Sequence, residues 1–233
     1  MNDPGMYDPG RLLVSLHIPK TAGSSLREAL AGWFGQDLAL HYRGDQGEPP
    51  IRHAPRPGLC VHGHFNRLRG IGALDYYPAA DQFITFLREP FDRFVSLWRY
   101  LHFQKRSGVL VPDLDDDPTF ETWLERRREA SEAGDDPFSF LAQLPWAIAP
   151  GQAADPFGPQ FLFVGLVERY DSSLAGLAEA LGKSAPPPVH VNRASDAFRK
   201  GDPAGDFAAF RARHEAAFPL EHAVYAAAER RAP

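Results

Sequence analysis

Short apolar runs alternate along this chain with longer stretches of helical spacing. Residues 12–18 (LLVSLHI) are apolar and short enough for a buried strand. From residue 24 to 34, Leu26, Leu30 and Trp33 or Phe34 fall at steps of three or four, which predicts a helix with one apolar face. Residues 59–62 and 82–87 (QFITFL) read as further strands. Residues 91–103 are helical, with Phe91, Val95, Trp98 and His102 on one face and Phe94, Leu97 and Leu101 beside it. Residues 120–129 and 138–144 predict shorter helices, 161–166 a strand, 172–181 a helix and 208–231 one or two closing helices. Such strand–helix alternation predicts an α/β fold with a mainly parallel sheet.

Proline and glycine cluster at 48–58, 149–159 and 185–188. These read as loops between packed elements rather than as linkers, so one domain is expected over 1–233. A chain of 233 residues buries roughly 70% of its unfolded surface, enough for a real core. Its 44% hydrophobic and 24% charged residues exclude a mainly disordered chain. The net charge of −5 argues against nucleic acid as a partner. Cys60 stands alone, which excludes an internal disulfide and a thiolate zinc cage and fits a reducing compartment. The first apolar run is broken by Ser15 and His17, and no basic region precedes it. No signal peptide and no membrane span are expected, and a cytoplasmic location fits.

Residues 16–26 read LHIPKTAGSSL, a strand running through a Pro19/Gly23 turn into a helix that Ser24 or Ser25 could cap. The N–H groups at a helix start carry partial positive charge, and Lys20 adds a full one. Together they suit phosphate or sulfate. The loop is no Walker A motif, because its lysine comes first rather than last. The bland alternative is an ordinary turn with an exposed lysine. PKTAGSS after a strand resembles the 5′-phosphosulfate loop of sulfotransferases. HIPKTAGSSL resembles the carbohydrate branch related to heparan sulfate and uronyl 2-O-sulfotransferases, whose donor is 3′-phosphoadenosine 5′-phosphosulfate (PAPS). The resemblance runs from Leu12 to about Ser195.

Residues 84–100 read ITFLREPFDRFVSLWRY, in which Arg88 follows a strand and Ser96 lies two turns into the next helix. An arginine fork holds phosphate bidentately and a hydroxyl adds a third bond. The alternative is an Arg88–carboxylate pair and a surface Ser96. The resemblance implies that both hold the donor's 3′-phosphate. Arg93 and Arg99 read as surface charges and receive no role.

Residues 59–64 read LCVHGH, which on a strand places His62 and His64 on one side. A neutral histidine can take a proton from an acceptor hydroxyl. A metal site, or a structural pair bonded to carbonyls, is the competing reading. The uronyl branch has a similar His-Gly-His. That resemblance implies His64 as catalytic base, with His62 as helper or alternative. His17 could touch the donor or simply pack in its strand.

FLFVGLVERY (161–170) resembles the family's late strand and helix, with Glu168 and Arg169 at the junction. VHVNRAS (189–195) resembles its late Asn-containing segment near the cofactor, so Arg193 or Ser195 could reach the 3′-phosphate or the adenine; an ordinary polar loop is the alternative. FRKGDPAGDF (198–207) offers Arg199 and Lys200 as weaker candidates. The acidic run 113–117 lacks the spacing of an EF-hand and reads as a solvated loop. Arg126, Arg127 and Arg128 read as a solvated helix face, and Trp98, Trp123 and Trp146 as core.

Taken together, the resemblance implies a P-loop-like, three-layer fold with a mainly parallel central sheet flanked by helices. It implies a PAPS-dependent sulfotransferase acting on a hydroxyl-bearing acceptor, a glycan or glycoconjugate, and releasing adenosine 3′,5′-bisphosphate (PAP). The 5′-phosphosulfate would lie on Lys20, Thr21, Ala22, Gly23, Ser24 and Ser25. No metal is required. The alternatives are a nucleotide-dependent phosphotransferase and a non-catalytic nucleotide-binding protein.

Overall fold

The structure is a computed structural model that describes residues 6–44, 47–184 and 207–232. Five parallel strands form the central sheet: β1 (Leu13–Leu16), β2 (Leu38–His41), β3 (Cys60–Gly63), β4 (Phe83–Leu87) and β5 (Phe161–Leu166), in the order β2-β3-β1-β4-β5. β1, β3 and β4 are buried throughout. That is why they read as continuous apolar runs rather than as alternating ones.

Helices cover both faces. On one, α1 (Gly23–Phe34) and α5 (Tyr170–Ala180) pack through Leu26, Leu30, Leu174 and Leu177 onto Leu13, Cys60, Ile84 and Phe86. On the other lie the four-residue α2 (Ala73–Tyr76) and α7 (Pro219–Arg231), against Val14, Leu16, Val61, Phe83 and Phe161. A third cluster joins α3 (Pro90–Arg106), α4 (Phe120–Ala133) and α6 (Arg211–Ala217) around Trp98 and Trp123, so those two tryptophans are core as expected. Trp146 packs partly buried against the second face. This is the α/β architecture that the alternation predicts.

The differences have local causes. β2 was not expected; its LALH is short and three of its four residues are partly exposed at the sheet edge. Residues 138–144 hold only a 3-10 turn, Phe140–Gln143, because Pro145 follows and disfavours helix at Leu144. The closing segment breaks at Phe218 for the same reason, and Pro219 starts α7. Arg93 is no surface charge. It is 2% exposed, donates to the Phe138 carbonyl at 2.9 Å and faces Glu221 at 3.7 Å. Among the described residues no helix is long and apolar enough to cross a membrane.

Candidate active site

β1 lies between β3 and β4, so the chain leaves the sheet in opposite directions around its carboxyl end. Open parallel sheets bind ligands at such a reversal point. The turn that leaves β1 is tightly fixed: Thr21 Oγ1 donates to the Ile18 carbonyl at 2.8 Å. Lys20 and Ala22 both adopt left-handed backbone, with φ of 72° and 58°. Such conformations cost non-glycine residues about 1–3 kcal/mol each and gather at functional sites. Neither Ser24 nor Ser25 caps α1. The helix starts earlier, at Gly23, with Ala22 in the cap position, no side-chain cap and no acidic residue in the first turn. Its N-terminal end is therefore left for an anion. Ser24 is exposed and Ser25 is buried.

Two cations face this end. Lys20 Nζ lies 4.3 Å from the centre of the Tyr100 ring. Burial, with the nearby Arg88 charge, pushes the Lys20 ammonium down to about 8. Arg88 follows β4 and is half-buried. Among the described residues no carboxylate pairs with it. Its neighbour Glu89 is engaged elsewhere, accepting from the Phe91 and Asp92 N–H groups and pairing with Arg211 at 2.9 Å. Glu168 accepts from the Glu89 N–H and from the Tyr225 hydroxyl, tying the ends of β4 and β5 to α7. Ser96 and Tyr100 are four residues apart on α3 and so share a face. Tyr100 touches Lys20, which turns that face toward the loop.

Beside the loop, three imidazoles stack. The His17 ring lies 5.3 Å from His62, at 11° to it, and 4.3 Å from His64, at 26°. Register explains the meeting, since Ser15 of β1 pairs with His62 of β3. Odd positions on β1 and even positions on β3 thus share the α1 face. Gly63 is required between the two histidines, because a Cβ there would sit 2.0 Å from the His41 carbonyl oxygen. His62 is fully buried, with Nδ1 2.9 Å from Ser15 Oγ, and burial pushes it down to about 3. His64 is half-buried, and its Nδ1 donates to the His17 carbonyl at 2.7 Å. A carbonyl only accepts, so this bond leaves Nε2 bare. Burial lowers the His64 pKa and the His17 carbonyl partly offsets that. Among the described residues no group of His, Cys, Asp or Glu is arranged to hold a metal ion.

The structure thus brings Lys20 to Arg88 and His17 to His62 and His64, with Ser96 on the helix face above. Arg193, Ser195, Arg199 and Lys200 lie outside the described residues. Sequence reasoning missed Tyr42, Tyr100, Arg27 and Arg69. Tyr42 follows the unpredicted β2, and its hydroxyl lies 2.9 Å from His17 Nδ1. Tyr100 was signalled only by its spacing from Ser96. The charge of Arg27 helps depress His17 and His62, and that of Arg69 does the same to His64.

Several arginines elsewhere are ion-paired. Arg126 pairs with Asp116, Arg127 with Asp113 and Asp136, and Arg128 with Glu125 and Glu132. The acidic run is therefore an ion-paired edge. A cleft of about 730 Å³ lies at the opposite ends of the strands, bordered by Arg11, Arg52, Arg56 and Tyr77. Its arginines are also engaged, by Asp81, by the Tyr76 and Asp75 carbonyls and by Asp37. It holds none of the chemistry gathered at the Lys20 end.

No known protein-family profile and no curated protein matches this chain. Among solved structures it is similar to mouse sulfotransferase SULT7A1 complexed with PAP. The TM-score is 0.55 at 15% identity, over 97% of this chain and 90% of that one. At this identity the likeness is one of fold: a P-loop-like α/β architecture with a parallel sheet between helices.

Proposed function

We propose that this chain is a sulfotransferase that moves the sulfuryl group of PAPS to an acceptor hydroxyl. The observation that carries the reading is one juxtaposition. An uncapped helix N-terminus with Lys20, and with an Arg88 that pairs with no carboxylate among the described residues, adjoins a histidine whose bare nitrogen is fixed. The fold shared with a sulfotransferase that was solved with PAP supports it. These donors suit a nucleotide with anionic groups at both ends. PAPS, when bound, supplies the sulfuryl group and a leaving group in PAP.

The residues divide the work. Backbone N–H groups of Thr21, Ala22, Gly23, Ser24 and Ser25 hold the 5′ anion. Lys20 meets negative charge as it grows on the departing oxygen, and burial makes that charge count for more. Arg88 and Ser96 hold the 3′-phosphate, with Arg193 a further candidate. His64 Nε2 accepts the proton of the acceptor hydroxyl. Its lowered pKa keeps it neutral, and so able to act as a base, at pH 7. His62, fully buried, reaches the reaction only through the stack. A carbohydrate hydroxyl is the acceptor implied by the motifs. Exposed Arg27 and Arg69 favour an acceptor that carries negative charge.

PAP release from PAPS, measured with a panel of neutral and acidic glycosides, tests this. Wild-type protein releases PAP in an acceptor-dependent way. Lys20→Ala and His64→Ala each lower turnover about 100-fold or more. Equal release by all three proteins would refute the assigned roles.

A further inference from the structure

His17 lies one residue beyond β1 and is tied down on every side. Its N–H donates to the Gly63 carbonyl at 2.8 Å. Its ring stacks on His62 and on His64, at centroid distances of 5.3 and 4.3 Å. The ring edge presses on the donor loop so closely that a Cβ on Gly23 would lie 1.7 Å from His17 Nε2. Its remaining nitrogen, Nδ1, meets the Tyr42 hydroxyl at 2.9 Å. Tyr42 also sets its ring edge-on to His64, 4.9 Å away at 81°. A purely structural wedge here would be served by a leucine or phenylalanine, with no polar group to desolvate. Imidazole is worth its desolvation only if Nδ1 does something, and Nδ1 holds Tyr42.

We propose that His17 is a positioning residue for His64 and that the Tyr42 hydroxyl anchors it. The inference rests on the sulfuryl-transfer reading, in which His64 is the base. The His17 carbonyl fixes the His64 proton on Nδ1, and the His17 ring fixes the plane of the His64 ring. The same ring rests on Gly23, so base and donor loop are held at one spacing by one side chain. Small displacements of a reacting group cost turnover steeply. Tyr42 keeps the wedge from rotating away, and burial raises its phenol to about 12, so it stays a neutral hydroxyl throughout the working range. The titratable or charged groups facing this pair are Lys20 of the donor loop, Arg27 of α1, His41 of β2, His62 of β3 and Arg69 beyond it.

Four proteins decide the matter: wild type, Tyr42→Phe, which removes one oxygen, His17→Phe, which keeps a ring but removes Nδ1, and the double variant. Imidazole ¹⁵N NMR reads the His64 tautomer without any turnover. PAP release reads turnover, and thermal titration with PAP reads donor binding. Wild-type His64 is expected in the Nδ1–H form alone. Each single variant keeps the His17 carbonyl but frees the His64 ring from its plane, so the Nδ1–H bond is expected to loosen into mixed tautomers, with about 10-fold lower turnover and PAP affinity within about twofold. The double variant is expected to lose no more than the worse single one, because the two residues act as a unit. An unchanged tautomer with turnover within twofold in both variants overturns the proposal. Should His17→Phe fail to fold, Tyr42→Phe decides alone. A wild type blind to PAP overturns the donor reading instead, while the tautomer measurement still decides whether His17 and Tyr42 position His64.

Discussion

At the Lys20 end, the groups assigned to the donor under the proposal are backbone N–H groups and two cations, Lys20 and Arg88. At the His64 end, the reactive nitrogen belongs to a ring packed against other rings. The first end is strained in its backbone, with two left-handed non-glycine residues. The second is strained in its protonation, with His17, His62 and His64 all pushed down by burial. Under the proposal the first end serves as the anion site and the second as the base. The ion-paired α4 edge shows how this chain treats cations that have no such task.

The contrast can be broken at several points. Arg88→Ala removes a charged fork from the donor end, and PAP affinity falls about 10- to 100-fold while ADP affinity changes little. Calorimetric titration with both ligands measures it, and equal losses for the two would remove Arg88 from the 3′-phosphate. Gly23→Ala strikes both ends together, since the added Cβ collides with His17 Nε2. About 1–3 kcal/mol of stability is lost, read from urea midpoints, and turnover falls with it. Acid tests the histidines depressed by burial, which include His41, His214 and His222 outside the stack. Each depressed histidine binds its proton in the unfolded chain near pH 6.5 but in the folded protein only well below that. Protons therefore favour unfolding, and stability falls as pH drops from about 6.5 toward 4. Each such group contributes up to about 1.4 kcal/mol per pH unit. Thermal midpoints between pH 7 and 4 measure the slope, and His62→Gln reduces it. The smallest effect belongs to the paired edge: because solvent screens that exposed pair, Arg126→Ala is expected to leave the thermal midpoint and turnover close to wild type.

The two ends also differed in how much of them was legible in the sequence. The donor end is local. A buried strand, a turn with Gly23 and a helix are contiguous in residues 12–34, and Arg88 and Ser96 follow β4 in the same way. Short-range patterns report such features directly, to within a residue or two. What they did not report was the cap, because Ala22 takes a left-handed conformation that its side chain does not advertise. The histidine end is assembled across strands. That His62 and His64 share a face followed from their spacing. That His17 stacks on both depends on the β1–β3 register and on the absence of a Cβ at Gly23 and Gly63. Tyr42 was out of reach because β2, a short and partly exposed edge strand, left no clear alternation to read. Arg93 misled for a related reason: its place in the interior depends on Glu221, 128 positions further along the chain.

Thermal titration of the wild-type protein with PAP beside ADP goes most directly to the proposed donor site. A ligand bound only by the folded state adds about 2.7 kcal/mol at 100 times its Kd. Stabilisation by PAP at concentrations where ADP gives little is the predicted result, and it should vanish in Arg88→Ala. Equal shifts with the two nucleotides, or none with PAP, would contradict a site built to hold a 3′-phosphate.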